Sequence, residues 1–118
     1  MSTHVFFEPH EWSFQKLGHR GKLFESSSAV TSSNHLIIEI DGRLPAWLCQ
    51  LECDFVYYVL EGHGTFHIEN RQENCKQGNL VTIPRGTKFT YEGDALKMLL
   101  TSTPPWGPAQ ERVFDDED

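Results

Sequence analysis

His63 and His67 stand four residues apart in the stretch YYVLEGHGTFHIE, residues 57–69. Side chains of an extended strand alternate between faces, so residues four apart project from one side. Two imidazoles so placed are half of a divalent-metal site. The surrounding residues argue for an ordinary hairpin. His63 lies between Gly62 and Gly64 in a predicted tight turn, where alternation does not hold. Phe66 and Ile68 mark the apolar side of the returning strand, which puts His67 on the wetter one. Whether the two histidines form an unusual surface metal site is left open. His4, His10, His19 and His35 show no ligand spacing, and His35, which opens a strand within reach of a pocket, reads as structural. Cys49, Cys53 and Cys75 are odd in number and contain no CxxC, so neither a disulfide framework nor a zinc knuckle is indicated.

These side chains must be carried by strands. HLIIEI (residues 35–40), AWLCQLE (46–52), FVYYVLE (55–61), TFHIE (65–69), LVTI (80–83), TKFTYEG (87–93) and ALKMLLTS (95–102) are β-branched or aromatic runs, and the first ends at the turn signal DG. Short strands at regular spacing, with almost no helical periodicity, predict an all-β barrel or sandwich. ESSSAVTSSN (25–34) reads as a loop or weak edge strand. PPWGPAQERVF (104–114) reads as an irregular or single-turn helical segment packed on the barrel exterior and anchored by Trp106.

Length and charge set the limits. A chain of 118 residues suits one domain, here residues 1–114, followed by an acidic tail at 115–118. The net charge of −7 argues against nucleic acid, whose phosphates demand a basic face. No apolar run approaches the ~20 residues of a membrane span, and the N-terminus does not read as a secretory signal. The expectation is a cytoplasmic protein with reduced thiols.

The spacing of the turn residues resembles the cupin signature. Gly42 and Gly62 frame the first motif (42–62), and Gly78, Pro84 and Gly86 open the second (78–93). The resemblance implies a small β-barrel, a double-stranded jelly roll of the single-domain RmlC-like kind. It also implies that the motifs' histidine positions fall on Leu48, Gln50 and Phe89, and the glutamate position on Phe55. Leu and Phe offer a cation no lone pair, and a lone amide oxygen suits only a hard cation in an all-oxygen cage. The expected metal set is therefore none, and no cofactor is expected.

Alternation carried over from the cupin frame predicts a cavity lined by Leu48, Gln50, Glu52, Phe55, Tyr57, Val59, Thr87, Phe89 and Tyr91. Cys49 and Cys53 should then face outward. That wall is apolar with a few polar groups, as small-molecule pockets are. Small barrels are also filled by their own side chains, so Phe55 and Phe89 either line an open pocket or plug it. The leading expectation is a metal-free cupin that binds a small organic ligand. The alternative is a metal-independent isomerase, epimerase or lyase on a sugar-like or carbonyl substrate, as in the sugar-nucleotide epimerase branch, with Glu52 as base and Tyr57 or Tyr91 as acid. Arg85, Lys88 and Lys97 are expected near one rim, able to hold a single carboxylate or phosphate. Cupins often pair through their sheets, which makes a homodimer the expected assembly.

Overall fold

A computed structural model describes residues 4–115. Among the described residues, nine antiparallel strands form one strongly curled sheet: β1 (Phe14–Lys16), β2 (His19–Leu23), β3 (Asn34–Arg43), β4 (Ala46–Gln50), β5 (Asp54–Ile68), β6 (Arg71–Lys76), β7 (Leu80–Ile83), β8 (Lys88–Thr103) and β9 (Glu111–Asp115). One path through the sheet runs β1-β2-β3-β8-β4-β9, while β5 pairs with β6, β7 and β8. This is the expected all-β jelly-roll barrel. The serine-rich stretch is a loop with one 3₁₀ turn at Ser26–Ser28.

Two long strands, β5 and β8, build the wall of the barrel, and each is bent by a bulge. Val59 pairs with Met98 but Glu61 with Lys97, so Leu60 is the extra residue of β5. Glu61 then pairs with Lys97 but His63 with Asp94, which adds a residue to β8 around Ala95, at φ +45°. A bulge reverses the parity of the side chains beyond it. Accordingly β5 buries Phe55, Tyr57 and Val59 before its bulge and Phe66 after it. β8 buries Phe89 and Tyr91 before its bulge and Leu96, Met98 and Leu100 after it. The residues EGHG are therefore not a turn: the chain continues through them as strand, and the hairpin turns at Glu69–Asn70. Likewise TYEG and ALKM belong to one strand, and β3 runs on through the DG that reads as its end.

The rings meet in the barrel interior. Phe66 stacks on Tyr91 with centroids 4.9 Å apart, Tyr57 lies 5.1 Å from Phe66, and Phe89 lies 6.4 Å from Phe66. Phe55 meets Phe89 edge-on at 6.3 Å. All five are at most 4% exposed, so the deep barrel is filled by aromatic rings.

The C-terminal segment differs most from expectation. After a 3₁₀ turn at Pro108–Gln110, the chain extends as β9 and adds to β4, with Gln50 opposite Glu111 and Ala46 opposite Asp115. The acidic run thus begins inside a strand, and residues 116–118 lie outside the described ones. Trp106 packs on the core cluster rather than on the outside of the barrel.

Gly62 shows what the bulge demands. Its φ is +79°, and a Cβ there would overlap the carbonyl oxygen of Ala95 on the neighbouring strand. Gly78, at φ +90°, has nothing within 4 Å of the same position. Gly62→Ala is expected to cost about 2–4 kcal/mol and Gly78→Ala only ~1 kcal/mol, as read from urea midpoints at constant m-value.

Candidate functional site

Of the predicted cavity residues, the fold brings Leu48, Phe55, Tyr57 and Tyr91 to a small recess at one end of the barrel. Its volume is about 30 Å³, the room of roughly one water molecule. Val59 and Phe89 are fully buried in the packed interior behind it. Gln50 is 1% exposed and spends its amide on neighbours. Glu52 and Thr87 are corrections. Strand β4 ends at Gln50, so alternation does not extend to Glu52, which is exposed. Thr87 belongs to the turn before β8, where its N–H donates to the Pro84 carbonyl. Glu52 is accordingly no candidate base. Cys53 also departs from expectation: it lies beyond β4, 1% exposed, with its thiol 3.8 Å from the Pro105 carbonyl. Cys49 is 7% exposed, and burial pushes its thiol pKa up.

The recess is completed by residues the motifs do not contain. Lys16 comes from β1, His19 from β2 and Glu111 from β9, while Phe14 and Trp106 form a half-buried rim. His19 is 8% exposed, and its Nδ1 lies 2.6 Å from the Tyr91 hydroxyl. Its Nε2 is buried with no hydrogen-bond partner among the described residues. Burial first, then the neighbouring Lys16 charge, lower the His19 pKa to about 4, with Glu111 opposing. Burial pushes the Tyr57 and Tyr91 hydroxyls well up, with Tyr91 adding to the rise at Tyr57 and Glu111 to both. At neutral pH the recess thus holds a neutral imidazole and two protonated phenols.

A charged pair stands at the edge. The Lys16 ammonium donates to Glu111 Oε2 at 2.8 Å, and Gln50 Nε2 donates to Glu111 Oε1 at 2.8 Å. The ammonium also lies 5.4 Å from the Trp106 ring centroid and 5.8 Å from that of Phe14, within cation–π range.

The cupin frame's metal positions do not fit a metal. Leu48, Phe55 and Phe89 carry no donor, and the Gln50 amide is held by Glu111 and Gln110. Among the described residues, no three His, Cys, Asp or Glu are grouped as a metal would need. His63 and His67 instead face acidic neighbours on β8: Nε2 of His63 is 3.7 Å from Asp94, and Nε2 of His67 is 3.0 Å from Glu92. His35 meets Thr101 at 3.1 Å. The three rim cations do not converge. Arg85 is engaged by Asp54, Lys88 lies over the rings of Trp47 and Phe114, and Lys97 is nine residues along β8 from Lys88, beyond its bulge.

The sequence profile of the AraC-like ligand binding domain matches residues 55–99. An uncharacterised protein of Methanocaldococcus jannaschii is 30% identical over 63 residues, which are 51% of this chain and 50% of that protein. The chain thus spans about half the length of that curated relative. Among solved structures, Pac13, described as a nucleoside dehydratase, aligns with a TM-score of 0.80 at 22% identity over 89% of this chain and 84% of that one. A Streptomyces Pac13 variant with uridine reaches 0.85 at 20% identity over 98% and 93%. Ectoine synthase from P. lautus aligns at 0.69 with 12% identity over 86% and 79%. The chain has the cupin fold. Its match to a ligand-binding family covers the centre of the chain and leaves out the β1, β2 and β9 residues that complete this cupin's recess. Among the described residues, no helix is long and apolar enough to cross a membrane.

Those outer residues were hard to read from sequence. Lys16 and Glu111 are 95 positions apart and outside both motifs, and only the pairing of β9 with β4 brings Glu111 inward. His19 has no ligand spacing, because its partner is a phenol on β8 rather than a second imidazole.

The His19 shift sets a pH dependence. Between pH 6.5 and 4 the unfolded chain holds a proton on this residue that the folded chain does not. Stability therefore rises with pH across that window and is fully present above it. Acidification from pH 7 to 4 is expected to remove about 3 kcal/mol through this residue. Urea unfolding of wild type and His19→Gln at both pH values checks this: the variant should lose most of the dependence.

Proposed function

We propose that this cupin binds a small hydroxylated organic ligand, of the sugar or nucleoside class, at the recess without a metal. The observation that carries the reading is His19 Nε2. A buried nitrogen without a partner costs about 1–3 kcal/mol, and His19 is a lining residue of the recess, which supports reading Nε2 as a contact for a ligand. Two protonated phenols, a neutral imidazole and an ammonium around aromatic walls suit a ligand rich in hydroxyl or carbonyl oxygens. The match to a ligand-binding family and the likeness to a nucleoside dehydratase support the same class. A sugar or nucleoside exceeds 30 Å³, so binding requires Phe14 and Trp106 at the rim to move outward.

The His19–Tyr91 pair favours a second step, metal-independent proton transfer of the lyase or isomerase type. In the tautomer in which Nδ1–H donates to the Tyr91 oxygen, Nε2 is a free acceptor for a substrate proton. The Tyr91 hydroxyl hydrogen then points to the substrate, and Tyr57 offers a second donor. In an elimination, the C–H beside a carbonyl gives its proton to His19, its electrons form the new double bond, and a hydroxyl leaves with a phenolic proton as water. The Lys16 ammonium, a lining group of the recess, would stabilise negative charge developing on the carbonyl oxygen.

A panel of nucleosides, free sugars and keto acids, read by thermal shift and by Trp106 fluorescence, tests the binding step. Uridine or another neutral member is expected to raise the Tm and to change the fluorescence, and Tyr91→Phe is expected to weaken that binding about tenfold. No response across the panel would mean that the rings simply close the barrel.

A further inference from the structure

The C-terminal segment does more than close the sheet. Gln110, on the 3₁₀ turn, is buried, and its Oε1 accepts from the Glu52 backbone N–H at 3.1 Å. A backbone N–H can only donate, so this contact fixes which end of the Gln110 amide faces it. Gln110 Nε2 must then point away, and it donates to Gln50 Oε1 and to the Gly107 carbonyl. With its oxygen taken, Gln50 turns its Nε2 to Glu111, 2.8 Å away. The other Glu111 oxygen accepts from the Lys16 ammonium at 2.8 Å. Each link has one polarity, and it is dictated by a backbone group outside the recess. Both Glu111 oxygens face donors, so each accepts a hydrogen bond.

We infer that Gln110 and Gln50 are positioning residues: an amide relay that orients Glu111 as a fixed acceptor and through it holds the Lys16 ammonium at the recess. The cupin-frame ligand position at Gln50 is thereby turned from metal binding to carboxylate orientation. The role in ligand binding rests on the function proposed above, whereas the relay itself is a property of the ligand-free protein and is tested separately.

The test is side-chain amide hydrogen exchange by NMR on the ligand-free protein. The Gln50 and Gln110 NH2 groups are expected to exchange at least tenfold more slowly than those of exposed Gln72 and Gln77. Gln110→Glu keeps the size and the acceptor for the Glu52 N–H but replaces the donor with an acceptor; Gln110→Met keeps only the bulk. Both are expected to speed Gln50 exchange severalfold over wild type and to weaken the Lys16 ammonium cross-peak expected of wild type, while β8 backbone amides stay protected as a control for folding. Unchanged Gln50 exchange in both variants, or surface-rate exchange in wild type, overturns the relay. Uridine titration then reads the consequence: about tenfold weaker binding in either variant is expected, and undiminished uridine affinity overturns the positioning role. If wild type binds neither uridine nor any other panel member while exchange behaves as stated, the relay stands and the ligand reading falls.

Discussion

Four rings on two strands, Tyr57 and Phe66 from β5 and Phe89 and Tyr91 from β8, hold the barrel in its shape. Each buries some 2–3 kcal/mol worth of apolar surface, and stacked neighbours add ~1 kcal/mol per pair. They can meet only because both strands bulge. Without the extra residue at Leu60, Phe66 would share a face with Tyr58, which is 43% exposed, rather than with Tyr57. The bulges in turn depend on Gly62, packed against the Ala95 carbonyl, and on Asp41, whose carboxylate accepts the Ala95 N–H at 3.0 Å. Conformational freedom at one glycine thus decides which side chains face inward over half of the barrel.

The same packing shapes the chemistry available. Rings at the deep positions leave no donor set for a cation, and they push polar function to the mouth. There Tyr57 and Tyr91 line the recess with His19, Lys16 and Glu111, groups contributed by the first two strands and the last one, and the Tyr91 hydroxyl meets His19. Burial, with the neighbouring Lys16 charge, lowers the pKa of the imidazole, and burial raises those of the phenols further above neutral. The aromatic core therefore supports the site and reinforces its neutral protonation states.

Much of the barrel was legible because strands and turn glycines leave local marks: alternation in FVYYV and KMLLT, and Gly42, Gly62, Gly78 and Gly86 in the motif frame. What misled was also local. Glycine beside a charged residue, as in EGHG and TYEG, signals a turn and a bulge equally, and only cross-strand register tells them apart. Tyr57 and Tyr91 could be placed because they lie within strands on one side of a bulge. Glu52 could not, since alternation ends with β4 two residues earlier. The C-terminal prolines suggested an appended segment, and nothing nearby in sequence marks Gln110 and Glu111 as partners of Gln50; that pairing is tertiary.

Hydrocarbon and aromatic side chains occupy the positions where the cupin frame puts metal donors. Elemental analysis of protein purified without chelator tests this most directly. The expected result is Fe, Mn, Ni and Zn far below one atom per chain, unchanged in Phe89→Leu. Near-stoichiometric retention of any of these metals through dialysis would contradict it.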